Sequence, residues 1–69
     1  MEYIKIKDEF IKLGQALKLA GLVESGVEAK IVVQNGHVKV NNETCLERGK
    51  KLKNDDIFEY NGVSVKVIA

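Results

Sequence analysis

At 69 residues, 45% apolar, 30% charged and with a net charge of +1, the chain has the composition of one small folded domain and is too balanced for disorder. A chain this short buries only about 60% of the surface it exposes when unfolded, so its core is thin and an active-site cleft with its own supporting shell is hard to house. No apolar run approaches the roughly 18 residues that span a membrane, Met1–Lys5 lacks the apolar run of a signal peptide, and the lone Cys45 has no internal disulfide partner, so a reducing, cytoplasmic setting is expected.

Tyr3–Lys7 alternates, with Ile4 and Ile6 on one side and Lys5 and Lys7 on the other, and reads as a short strand. Asp8 offers a helix N-cap with Glu9 in the first turn, and Phe10, Leu13, Leu17 and Ala20 follow at helical spacing to the stop signal Gly21. This predicts a first helix over about 9–20. Ser25-Gly26-Val27-Glu28 matches a capping box, and Gly36 closes a second helix over about 26–35, with Ala29, Val32 and Val33 on its buried side. A rival reading makes Ile31–Gln34 a strand hairpinned through Asn35-Gly36 to His37–Val40, because Ile31-Val32-Val33 is β-branched. The capping box and the lack of period-two alternation favour the helix.

Beyond Gly36 the pattern is extended. Val38 and Val40 alternate with Lys39 and Asn41, and Asn41-Asn42 turns the chain into Glu43–Cys45. Arg48-Gly49-Lys50-Lys51 reads as a basic loop anchored by Leu52, and Asn54-Asp55 as a turn. Asp56–Tyr60 and Val63–Ile68 read as strands joined by Asn61-Gly62, a type I′ hairpin signal, with Val63, Val65 and Val67 inward.

The charge is unevenly spread. Lys30–Lys53 carries a net of +4 and the remainder −3. A nearly neutral protein with a basic half can attract a polyanion locally, although charged residues also simply coat small domains.

In this order and at these spacings, Lys12-Leu13, Leu17-Lys18-Leu19-Ala20-Gly21-Leu22, Ser25, Ala29-Lys30, Gly36-His37-Val38-Lys39-Val40-Asn41 and Asp55-Asp56-Ile57 resemble the S4 RNA-binding domain. The likeness covers about residues 10–60, and Arg48–Leu52 is similar to the stand-alone, single-domain branch of the YaaA and YbcJ type. Gly26 stands where the family often has arginine, Gly14 where aspartate is frequent, and Asn42 in place of a turn glycine, a substitution asparagine tolerates at positive φ. The resemblance implies an α+β fold of the S4-like, or αL, kind. Two N-terminal helices in a helix-turn-helix arrangement would pack on a small, mainly antiparallel sheet of four or five strands, residues 1–69 forming one domain.

It also implies a non-catalytic protein that grips structured RNA, ribosomal RNA or a ribosome assembly intermediate, through phosphates and 2′-hydroxyls. The expected RNA-binding residues are Lys12, Lys18, Ser25, Lys30, Lys39, Asn41, Arg48, Lys50 and Lys51. Lys30 would lie on the RNA-facing side of the second helix. Arg48 can hold a phosphate through two parallel hydrogen bonds, and Lys50 and Lys51 add point charges. Ser25 reads first as a helix cap and Asn41 first as a turn residue. Neither a cofactor nor a metal is expected: one cysteine and one histidine, His37, lack the ligand count for zinc and show no triad spacing. Tyr3, Phe10, Phe58 and Tyr60 are too scattered for an RRM-like stacking platform. The expected partners are structured RNA and ribosomal proteins, with no membrane and a monomeric state. The alternative is a module that docks on a protein without touching RNA. A β-grasp carrier is discounted because Val67-Ile68-Ala69 offers no Gly-Gly tail.

Overall fold

The computed structural model describes every residue, Met1–Ala69. Its elements in chain order are β1 (Glu2–Lys5), β2 (Ile11–Lys12), α1 (Leu13–Leu19), α2 (Gly26–Gln34), β3 (Val38–Val40), β4 (Glu43–Thr44), β5 (Lys51–Leu52), β6 (Ile57–Tyr60) and β7 (Val63–Ile68). Five strands form one mixed sheet in the order β1-β7-β6-β3-β4, while β2 and β5 form a separate two-stranded ribbon. The expected α+β class holds. Only β1 against β7 is parallel; the other pairs are antiparallel.

Both helices stop where the two glycines are. At α1 the N–H of Leu22 donates to the carbonyl of Leu17 and that of Gly21 to Lys18. At α2 the N–H of His37 donates to Val32 and that of Gly36 to Val33. These are paired Schellman bonds around a residue at positive φ, 74° at Gly21 and 78° at Gly36. Ser25 caps α2, its hydroxyl accepting from the N–H of Glu28, whose carboxylate in turn accepts from the N–H of Glu24. Ile31–Gln34 is therefore helical, and the hairpin reading of this stretch does not hold.

The start of the first helix is a correction. Helix α1 begins at Leu13, not near Glu9, and Asp8 does not cap it. Ile11 and Lys12 are instead drawn into the ribbon, opposite Leu52 and Lys51. The first N–H groups of the helix then donate to backbone carbonyls of the chain entering β5: Leu13 to Lys50 at 2.8 Å and Gly14 to Arg48 at 3.0 Å. Pairing with a distant segment satisfies the orphan donors that a local cap would otherwise serve. Phe10 consequently leaves the buried stripe and is 37% exposed. Lys51, expected in a loop, belongs to β5.

The core lies between the helices and one face of the sheet. Leu13, Ala16 and Leu17 of α1 and Ala29, Val32 and Val33 of α2 meet Val38, Val40, Phe58, Val65 and Val67 of the sheet, with Leu52 of the ribbon fully buried beside them. Val63 is half-buried against this cluster. Strand alternation places Lys39 and Glu59, which face each other across β3 and β6, on the opposite side of the sheet. No helix is long and apolar enough to cross a membrane.

Two type I′ turns, Asn41-Asn42 and Asn61-Gly62, have positive φ at both central residues. Asn41 also ties its turn to the start of β6. Its Nδ2 donates to Asp56, while its Oδ1 accepts from the N–H of Ile57; the second Asp56 oxygen accepts from the N–H of Lys53. Replacing Asn41 by alanine removes both side-chain bonds and leaves a Cβ residue at φ 50° with no polar compensation. The expected cost is about 1–3 kcal/mol in a denaturant unfolding experiment, whereas Asn42→Gly is neutral or stabilising.

Candidate nucleic-acid interface

The contact between the start of α1 and the segment entering β5 builds the most basic groove of the molecule. It works because residue 14 is glycine. A Cβ on Gly14 would sit 2.6 Å from Cγ of Arg48 and 3.1 Å from its Cδ, so the arginine stem lies directly across the helix backbone. Arg48 thereby packs on the start of α1. The groove it enters is lined by Lys12, Gly14, Gln15, Lys18, Gly26, Arg48 and Gly49, three cations and no carboxylate.

Other cations adjoin this groove. Lys51 is the direct cross-strand partner of Lys12. Like charges in that position repel, and no acid offsets them, since the molecule's single ion pair joins Lys66 to Asp55 elsewhere. The Lys51 ammonium rests over the Phe10 ring, 4.8 Å from its centroid. Lys30 lies one helical turn beyond Gly26 on the exposed side of α2 and does not itself line the groove. Lys18 lines a second, adjoining cleft together with Lys5, Lys7 and Phe10.

The remaining expected residues are placed otherwise. Lys50 and Lys51 line a depression with Lys53, but Glu47 and Asp56 share it. Lys39 is on the outer face of the sheet, across from Glu59. Ser25 is a cap at the groove's edge, its hydroxyl already bonded to Glu28. The Asn41 amide is committed to Asp56 and Ile57. The structure therefore brings Lys12, Lys18 and Arg48 together in one groove, pairs Lys51 with Lys12 across the ribbon, and leaves Lys30 and Lys39 outside the groove lining. Sequence reading passed over Lys5, Lys7, Gln15 and Lys53. The alternation of Ile4 and Ile6 with Lys5 and Lys7 was the signal available for the first pair.

Residues 4–68 match the S4 domain family. The chain belongs to the S4 domain family. It is 44% identical over 59 residues to a probable ribosome maturation protein, RlbA of Bacillus subtilis, covering 86% of this chain and 83% of that protein. It is 35% identical over 63 residues to the putative RNA-binding protein YbcJ of Escherichia coli, covering 91% and 90% of the two chains. The solution structure of E. coli YbcJ, described as revealing an αL motif involved in RNA binding, superposes with a TM-score of 0.76 at 33% identity over all of this chain and 89% of that one. The crystal structure of 30S ribosomal protein S4e from Thermoplasma acidophilum gives a TM-score of 0.63 at 31% identity, over 84% of this chain and 31% of that one. The likeness to the stand-alone branch thus holds through YbcJ.

Within this S4 domain the departures from the family pattern acquire a shape. Gly26 has open space where a side chain would project, on the wall of the groove that Arg48 enters from another segment. Gly14, where aspartate is frequent, is the residue that lets Arg48 lie flat. Asn42, in place of a turn glycine, has φ 70°, a left-handed conformation that favours glycine and that asparagine tolerates.

The fit between Gly14 and Arg48 can be measured as a coupling. Gly14→Ala is expected to destabilise the protein by about 1–3 kcal/mol through overpacking against the arginine stem. In an Arg48→Ala background the same change is expected to be neutral or to stabilise by up to about 1 kcal/mol, since alanine favours helix. Equal effects in both backgrounds, read by thermal or denaturant unfolding, would show that the stem does not pack there.

Proposed function

We propose that this protein is a non-catalytic RNA-binding protein that docks on structured RNA of the ribosome or of a particle maturing into one. The single observation that carries the reading is the groove in which Lys12, Lys18 and Arg48 converge with no carboxylate among the lining residues. A rigid cationic trough without internal counter-ions suits the phosphates of a folded RNA. The relatives support the choice of polyanion, one being named for RNA binding and another for ribosome maturation. A structured RNA presents phosphates and 2′-hydroxyls in fixed array, and a protein of this kind reads their shape.

In this reading Arg48 clamps a phosphate bidentately, Lys12, Lys18 and Lys51 neutralise its neighbours, and Lys30 extends the contact along α2. Lys50 lies at the margin, while Ser25 and Asn41 hold the frame. Lys39 stays outside the interface. The protein acts as a monomer in the cytoplasm, as one domain over residues 1–69, and performs no chemistry of its own. Docking on a ribosomal protein alone is the competing reading, and the outward pair Val27 and Ile31 on α2, 69% and 52% exposed, is what would serve it.

Salt dependence separates the two. With about four phosphates neutralised, log affinity for a structured ribosomal RNA fragment should fall against log salt with a slope of about −3, whereas a slope near zero indicates protein docking. The double substitution Lys12→Gln with Arg48→Gln should weaken binding at least tenfold and reduce the slope by about 2. Glutamine keeps most of the aliphatic stem that packs on Gly14, so the unfolding midpoint should barely move. Lys39→Gln is the control and should leave affinity unchanged. Unaltered affinity in the double variant would rule out the groove.

A further inference from the structure

We propose that the cleft beside the phosphate groove receives a single unpaired nucleotide of the same RNA, its base stacked against Phe10. The inference rests on the RNA-binding reading above and goes beyond it, because it makes the protein a sensor of a bulged or looped-out residue next to a helix. Three observations carry it.

The first is Phe10 itself. It is not in the core; the ribbon holds it at the surface, 37% exposed, in a chain whose other phenylalanine, Phe58, is fully buried. The adjoining ribbon, with Ile11 paired to Leu52, keeps it out of the core, and the Lys51 ammonium sits over one face of the ring at 4.8 Å from the centroid, so that stacking falls to the ring surface the cleft leaves open.

The second is the cleft. Phe10, Ile6, Ile11 and Leu19 give it an apolar lining, and as an open depression of about 610 Å³ it is wide enough to admit a planar base from solvent. The third is charge and continuity. Lys5, Lys7 and Lys18 ring the cleft against one acid, Asp8, and Gln15 and Lys18 belong both to this cleft and to the phosphate groove. A backbone lying in the groove therefore passes the mouth of the cleft. An aliphatic peptide would suit the apolar lining but not the lysines, and a free phosphate would suit the lysines but not the lining. A nucleotide matches both, since base stacking on aromatic side chains is how proteins hold splayed-out bases.

The test uses two short RNA hairpins of the same stem sequence, one fully paired and one carrying a single unpaired 2-aminopurine nucleotide. The wild-type protein should bind the second at least about fivefold more tightly, the lower end of what stacking one base contributes, and should quench the 2-aminopurine fluorescence. Phe10→Ala should lose both the preference and the quenching while binding the paired hairpin as before. Phe10→Trp should retain both, which separates stacking from a fold defect. Equal wild-type affinity for the two hairpins, or quenching that survives in Phe10→Ala, would overturn the nucleotide cleft and leave the phosphate groove standing. Binding of neither hairpin would overturn the RNA-binding reading and this inference with it.

Discussion

The main-chain contact between the first turn of α1 and the segment entering β5 holds the basic face together. Two N–H groups at Leu13 and Gly14 find their acceptors on Lys50 and Arg48, and glycine at residue 14 admits the arginine stem onto the helix. Everything basic about the groove follows from this docking. It sets Lys12 against Lys51, lays the Arg48 stem on Gly14 and puts Gly49 in the same groove as Gly26. Without it the same residues would be scattered lysines and an arginine on a surface of almost no net charge.

Net charge is a poor guide to such a site. Exposed cations at a spacing of a few ångströms repel only modestly in water, and salt screens them further beyond about 8–10 Å, so a cluster of four or five costs the fold little. The same cluster presented to a polyanion acts in concert, since each phosphate contact releases a counter-ion. No acid lines the groove. Glu24 and Glu28 flank its edge at the start of α2, where the Glu28 carboxylate accepts from the N–H of Glu24, while Asp56 braces the Asn41 turn and Asp55 pairs with Lys66. Charge segregation, not charge excess, makes the basic groove. The fold supports it from beneath: the buried faces of α1 and α2 lock onto Phe58, Val65 and Val67, so the helix side of the groove is secondary structure, facing the turn at Arg48-Gly49.

Much of the fold was legible because its signals are local. Gly21 and Gly36 end their helices through the same Schellman bonds, Ser25 caps where a serine before a glutamate predicts, and Asn61-Gly62 turns the hairpin it should. What was not legible is non-local. A two-residue strand carries no alternation to detect, so Ile11-Lys12 and Lys51-Leu52 could not be recognised as partners, and Asp8 looked like a cap that tertiary pairing then made unnecessary. That one miss displaced Phe10 from the imagined core to the surface. The site was legible as a set of residue types and less so as a place. Of the nine expected residues, Lys12, Lys18 and Arg48 line one groove, and what lays the arginine stem there, a missing Cβ at Gly14, exists only in three dimensions. Lys39 could be seen to point out of the sheet from its buried neighbours Val38 and Val40; that this outward face is the one turned away from the helices could not.

The most direct measurement is an amide chemical-shift titration of the labelled protein with a structured ribosomal RNA fragment, read residue by residue. If the docked β5 segment and the helix starts form one RNA-gripping face, the amides of Leu13, Gly14, Lys18, Gly26, Arg48 and Gly49 shift together at the lowest RNA ratios, and those of Lys39, Glu59 and Ser64 stay in place. Perturbation confined to the outer face of the sheet, with the Gly14 and Gly49 amides unmoved, would contradict it.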